Sequence, residues 1–318
     1  MSSRNLGENL AMNDVSPVPS NITPAGTPAP VRQASAIRNL FIGPHGIRAG
    51  WRLLMYLALV VLSAMALVFV FQRRQSDYLW DFFFGELFGV IAVVIPAVIM
   101  ARIEKRPFGV YGLPAQGAFG KLFWNGALWG LAAITLLLGI LRSLHGFYFG
   151  HLALHGTRIL KFALFWGAVF LLVGFFEEFL FRGYTQFTLI TGIGFWPAAA
   201  LLSIAFGALH LNNKGESILG GLAAGLIGFF FCLTLRRTGN LWFAVGFHMS
   251  FDWGETFLYS VPNSGTVEPG HLLNSSFQGP HWLTGGTVGP EGSVLVFALI
   301  AVLWVTFDRL YRAVKYPG

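Results

Sequence analysis

Residues 161–189 read KFALFWGAVFLLVGFFEEFLFRGYTQFTL. After Lys161 the chain runs through apolar side chains as far as Phe176, then meets two adjacent glutamates, Glu177 and Glu178, and an arginine, Arg182. A run of about 20 such residues spans a hydrocarbon core of about 30 Å as a helix, whereas a strand rarely exceeds about ten residues. The stretch therefore predicts a membrane-spanning helix. Each ionisable side chain inside it costs about 2.5–3.5 kcal/mol on insertion, so each needs a partner or a purpose.

The chain around this stretch has the same character. Its 318 residues are 55% hydrophobic, 16% aromatic and 11% charged, against roughly 25% charged in soluble domains. Twenty-one Lys and Arg with fourteen Asp and Glu cannot cover a water-soluble globule of this size. Eight apolar runs stand at approximately 51–72, 82–101, 121–141, 161–189, 196–211, 216–236, 241–259 and 293–311. They are apolar on every side, which fits helices and not barrel strands, because lipid satisfies no unpaired backbone group. The expected fold is an all-α polytopic membrane protein with about eight transmembrane helices. Gly220, Gly221, Gly225 and Gly228 suit close helix packing.

Residues 1–36, with five prolines between Pro17 and Pro30, lack the apolar surface that would repay ordering and read as a disordered cytoplasmic tail. No apolar core of a secretory signal is present in them. Residues 37–318 read as one integral membrane domain, with a catalytic core at about 161–259. Cys232 is the sole cysteine, which excludes an intramolecular disulfide and a cysteine-based zinc cluster.

The net charge of +7 is distributed beside the apolar runs, as topology signals are, and forms no nucleic-acid stripe. With eight spans and both termini on one side, that side collects Arg4, Arg32, Arg38, Arg48, Arg52, Arg102, Lys105, Arg106, Lys121, Arg236, Arg237, Arg309, Arg312 and Lys315. The other side has Arg73, Arg74, Arg142, Arg158, Lys161 and Lys214, and residues 260–292 contain no Lys or Arg. The positive-inside rule then puts both termini in the cytoplasm.

Within 161–189, Glu178 and Arg182 are four residues apart and nearly eclipsed on a helix, while Glu177 points about 140° away from Arg182. The first two can neutralise each other, which leaves Glu177 as an unpaired carboxylate suited to act as a general base. The next run ends in Phe206-Gly-Ala-Leu-His210, and the run at 241–259 carries His248 and Asp252 four apart on one face, with Glu255 close to the same stripe. At about 1.5 Å per residue, Glu177, His210, His248 and Asp252 fall roughly 20, 21, 11 and 17 Å from the cytoplasmic helix ends, depths compatible with one site inside the membrane. A carboxylate beside a neutral histidine can take a proton from water, and a second histidine with a polar neighbour can hold an oxyanion. No HExxH or GxSxG motif offers another hydrolytic route.

EExxxR in one span, FxxxH in the next and HxxxD two spans later resembles the three-motif pattern of the CPBP (Abi, CAAX-processing) intramembrane endopeptidases. Arg48-Ala-Gly-Trp-Arg52 and Tyr111-Gly-Leu113 look like the bacterial type. The resemblance implies a protease of the bacterial inner membrane with Glu177 and His210 activating water, His248 and residue 252 stabilising the oxyanion, and Glu178 and Arg182 in support. It implies a membrane-embedded or lipidated peptide as substrate, the lipid bilayer as surroundings, no nucleic acid, and no cofactor. Residue 252 is Asp where Asn is common in the family. An ionised Asp repels an oxyanion, so it is protonated, orients His248, or binds a metal, and zinc held by Glu177, His210, His248 and Asp252 is the alternative. Two rival readings remain: a proton-coupled transporter, for which Glu86 and Glu255 speak, and a catalytically silent partner-binding protein of the same fold. His145, His151, His155, His271 and His281 read as residues of solvated loops, and the sequons at Asn21 and Asn274 do not alter the reading.

Overall fold

A computed structural model describes residues 36–43, 46–71, 77–213 and 215–316. All but the last residue of the expected tail at 1–36 lies outside the described residues. The helices are α1 (Ala36–Phe41), α2 (Ala49–Phe71), α3 (Tyr78–Ile103), α4 (Lys121–Ser143), α5 (Thr157–Arg182), α6 (Tyr184–Ile193), α7 (Phe195–His210), α8 (Ile218–Thr238), α9 (Trp242–Trp253), α10 (His281–Thr284) and α11 (Leu295–Leu310). A π-helical turn, Gly254–Tyr259, continues α9. Each of the eight apolar runs falls on a helix or a continuous helical pair.

Among the described residues, five helical segments are long and apolar enough to cross a membrane: α2, α3, α4, the α5–α6 pair and α8. α7 and α11 have 16 residues each and rise about 24 Å, less than the hydrocarbon thickness. The protein is thus an all-α integral membrane protein. The run at 161–189, expected as one helix, is broken at Gly183. A Cβ at Gly183 would lie 2.3 Å from the Phe179 carbonyl oxygen and 2.6 Å from its ring, so this break requires glycine.

Among the described residues, two large cores hold the bundle, beside smaller clusters around Trp166 and around Phe206. One joins α4, α8, α9 and α11 through Leu137, Phe230, Phe243, Phe247 and Phe307. The other joins α2, α3, α5, α6 and α9 through Tyr56, Met100, Phe179, Tyr184 and Trp242. α2 is peripheral: Tyr56 alone on it is buried, its hydroxyl donating to the Val93 carbonyl at 3.2 Å. The outward Val61, Leu62, Met65 and Phe69 suit contact with lipid.

The two faces of the bundle differ. On the Lys- and Arg-rich face, Glu104 takes Arg52 at 3.0 Å and Arg106 at 3.6 Å and accepts from the Tyr184 hydroxyl, while Arg52 also donates to Thr191 at 2.6 Å. The RAGWR segment is therefore a clamp: Arg52 ties α2 to α3 and α6, and the Trp51 indole donates to the Leu40 carbonyl. Beside it, burial raises the Tyr111 and Tyr316 hydroxyls above the ordinary phenol range. On the opposite face, the segment 144–156 and the segment 260–292 join through antiparallel pairing of Phe147–Tyr148 with Ser276–Phe277 and a bridge between Leu152 and Leu273. The histidines there are not only solvated: His151 Nε2 lies 2.9 Å from Asn274 Nδ2, across the two segments.

Candidate active site

α5 and α9 cross at Gly174, where a Cβ would meet the Val245 carbonyl, the His248 Cβ and the Met249 nitrogen at 3.2–3.3 Å. This contact presses the His248 backbone against α5 one turn before the two glutamates. Glu178 and Arg182 are both fully enclosed, and Arg182 Nη1 donates to Glu178 Oε1 at 3.2 Å. The expected pairing of Glu178 with Arg182 on α5 is therefore present. Room for the guanidinium comes from Gly228 on α8, where a Cβ would fall 2.0 Å from Arg182 Nη2, and the guanidinium carbon lies 4.3 Å from the Phe206 ring centroid, a cation–π distance.

Glu178 has a second partner that sequence spacing did not reveal. His248 Nδ1 lies 3.0 Å from Glu178 Oε1; a carboxylate only accepts, so Nδ1 carries the hydrogen and the ring is oriented. Nε2 then faces the two remaining acids, at 3.4 Å from Asp252 Oδ2 and 3.6 Å from Glu177 Oε2. Phe231 lies against the imidazole, 5.9 Å away with a 22° angle between planes. His210 Nδ1 lies 2.8 Å from the Phe206 carbonyl oxygen, so it too donates from Nδ1 and leaves Nε2 free to accept. Among the described contacts, the histidine beside Glu177 is His248 and not His210.

Glu177, His210, His248 and Asp252 nonetheless line one cavity of about 330 Å³. Phe82, Phe170, Phe206 and Phe247, with Val296, Leu299, Ile300 and Leu303 of α11, give it an apolar wall. Its polar lining includes residues outside the motifs: Glu86 on α3, Asn213, Thr256, and Asn263, Ser264, Thr266, Glu268 and Glu291 of the segment after α9. Burial raises the Glu268 carboxyl above its ordinary range, against a hydrogen bond from Tyr78 that lowers it. Glu86 was visible in the sequence as an acid within a span. The acids at 268 and 291 were not, because an acid in a loop has no cost that calls for explanation. Glu255 is fully buried in the π-helical turn, and neither of its carboxylate oxygens has a hydrogen-bond partner.

Among the described residues, no group of three or more His, Cys, Asp or Glu side chains is arranged to hold a metal ion. Residues 159–254 match the family model described as Type II CAAX prenyl endopeptidase Rce1-like, the CAAX-processing protease family that the motifs resemble. The match covers α5 to α9 and contains all four candidate catalytic residues. No curated protein matches the chain.

Proposed function

We propose that the chain hydrolyses a peptide bond of a membrane-embedded or lipidated peptide with water activated by Glu177. The observation that carries this reading is the approach of Glu177 Oε2 and Asp252 Oδ2 to one nitrogen of His248 in an apolar cavity. Glu177 takes a proton from water as its oxygen attacks the carbonyl carbon, and the same proton then passes to the departing nitrogen. His210, with Nε2 free, serves as the second base. His248 gives Nδ1–H to Glu178, so it donates from Nε2 only as imidazolium, and that positive ring is matched to the oxyanion. A protonated Asp252 adds a second donor; an ionised one orients the ring.

Water and the side chains supply this chemistry without a cofactor. Zinc enters the alternative reading through Glu177, His210, His248 and Asp252. Cleavage of a membrane-peptide library by protein purified in detergent, with metal content measured on the same sample, tests both. Turnover with no stoichiometric metal sinks the zinc reading, and no cleavage of any peptide with or without metal sinks the protease reading.

The Lys and Arg asymmetry supports cytoplasmic termini, and the resemblance of residues 48–52 and 111–113 to bacterial-type members supports the bacterial inner membrane. A reporter that fluoresces only in the cytoplasm should light after Gly318 and stay dark within 262–290; the reverse pattern inverts the topology. Glu86 and the unpartnered Glu255 favour a second reading as a proton-coupled transporter, which proton-driven uptake in liposomes would reveal.

A further inference from the structure

The stripe that carries His248 and Asp252 continues one turn past the motif. On a regular helix the next residue of that face is Glu255, seven after His248. The chain leaves regular geometry at Gly254, where a Cβ would lie 2.7 Å from Ile134 Cγ2 on α4, and Gly254–Tyr259 winds as the wider π-helical turn. Fewer degrees of rotation per residue carry Glu255 off the face and bring Thr256 onto it. His248, Asp252 and Thr256, each four residues from the last, accordingly line the cavity, and Glu255 is not among the described residues that do.

Thr256 is 3% exposed. Its Oγ1 accepts from Asn263 Nδ2 at 3.3 Å. That amide also lines the cavity, and its backbone is fixed by a tight turn in which Asn263 and Thr266 exchange hydrogen bonds at 2.9 and 3.0 Å. Because the amide donates, the hydroxyl's own hydrogen has to go elsewhere. A helical threonine ordinarily gives it to a carbonyl of the preceding turn, but among the described contacts no acceptor takes it. A buried hydroxyl hydrogen without an acceptor costs free energy until a bound molecule supplies one.

The spacing indicates which acceptor fits. Four helical residues rise about 6 Å, and in an extended peptide the carbonyls that point one way recur every second residue, about 6.6 Å apart. A substrate whose scissile carbonyl sits at His248 and Asp252 therefore brings the like-facing carbonyl two residues away to Thr256.

We propose that Thr256 donates a hydrogen bond to that second main-chain carbonyl, so that the substrate lies extended along the stripe of His248, Asp252 and Thr256. Asn263 is a positioning residue that acts through Thr256. The inference rests on the peptidase reading for its substrate class. The contact is made to the bound peptide before and during reaction alike, so it lowers KM and leaves kcat unchanged.

The test uses the full chain in nanodiscs and a fluorescent apolar peptide with a series of analogues, each having one amide replaced by a trans-alkene that keeps the shape and removes the carbonyl. Cleavage of the parent peptide by the unaltered protein locates the scissile bond. Affinities are measured on the Glu177→Ala protein, alone and with each further substitution, so that cleavage does not interfere. The analogue altered two residues from the scissile carbonyl should bind about tenfold more weakly than the parent. Thr256→Val should weaken the parent by about as much and abolish the difference between the two peptides, whereas Thr256→Ser, which keeps the hydroxyl, should preserve it. Asn263→Asp should also abolish it, because a carboxylate takes the hydroxyl hydrogen instead of supplying one; a merely structural change at 263 shifts every peptide alike. In turnover by protein with Glu177 intact, Thr256→Val should raise KM about tenfold and leave kcat within about twofold.

A difference between parent and analogue that survives Thr256→Val, on protein with an unchanged thermal melt, overturns the inference. If the valine variant does not fold, a difference that survives Asn263→Asp overturns it equally. Cleavage without any analogue whose loss depends on Thr256 overturns the contact and leaves the peptidase reading intact. A loss confined to one analogue and abolished by Thr256→Val, with no peptide cleaved, supports the contact and sinks the peptidase reading.

Discussion

The clamp around Glu104 and the cavity around Glu177 are both acidic clusters within the same bundle, and they differ in what surrounds the carboxylate. Glu104 meets two arginines and a tyrosine hydroxyl; its charge is spent on holding α2 and α6 to α3. Among the described contacts, Glu177 meets a histidine nitrogen at 3.6 Å, and its Oε2 has no hydrogen bond. A saturated carboxylate fastens helices. One left short of partners in a cavity is available to water or to substrate, and that contrast separates structure from chemistry here better than burial does.

The sharpest way to break this contrast is Glu177→Ala. Cleavage by the purified protein should fall by at least about a hundredfold, the lower end of what a general base contributes, while the thermal melt in detergent stays unchanged; turnover within a few-fold of the original would remove Glu177 from the chemistry. Next come Glu178→Ala and Arg182→Ala. Each strands a charge in a fully enclosed position and should cost about 3–5 kcal/mol, seen as loss of folded protein on size-exclusion chromatography. The pair can be removed together as Glu178→Leu with Arg182→Met, which should recover part of the lost stability and not the activity, since His248 loses its Nδ1 partner. Arg52→Ala should cost less, about 1–2 kcal/mol, because Arg106 and Tyr184 stay with Glu104, and cleavage should persist in whatever remains folded. The smallest effect belongs to Asp252→Asn. The amide keeps shape and a donor, so activity should remain within about tenfold if hydrolysis is metal-free. If a metal is bound there, the amide is a poor ligand and activity and zinc content should fall together.

Much of this contrast was legible in the sequence, and the illegible part has definite causes. The spacing of Glu178 and Arg182 fixed their pairing because both lie on one helix, where geometry is known in advance. The contact of Glu178 with His248 depends on the approach of α5 to α9 at Gly174, a tertiary event that spacing does not encode. The break at Gly183 was hidden because large side chains stand on both sides of it, Leu180 and Phe181 before and Tyr184 and Phe187 after, so the run reads on past the glycine. The pairing of Glu177 with His210 followed from the family resemblance; the described contact of Glu177 is with His248, and His210 lines the same cavity. Glu268 and Glu291 could not be assigned to the cavity at all, since the segment 260–292 was informative only through its lack of Lys and Arg.

Phe206 deserves a last consideration, because its two ends belong to different motifs. Its ring carries the Arg182 guanidinium at 4.3 Å, and its carbonyl oxygen takes Nδ1–H of His210. With His248 bound to Glu178 and Glu178 to Arg182, the three motifs form a continuous chain of contacts from one histidine to the other: His248, Glu178, Arg182, Phe206, His210. A change in side-chain volume at 206 therefore reaches two distant imidazoles at once, and compensating changes are to be sought at 182 and 228 rather than among the residues lining the cavity. The Phe206-to-His210 spacing is in this sense a unit of length, one helical turn that separates the support of an arginine from the steering of a histidine.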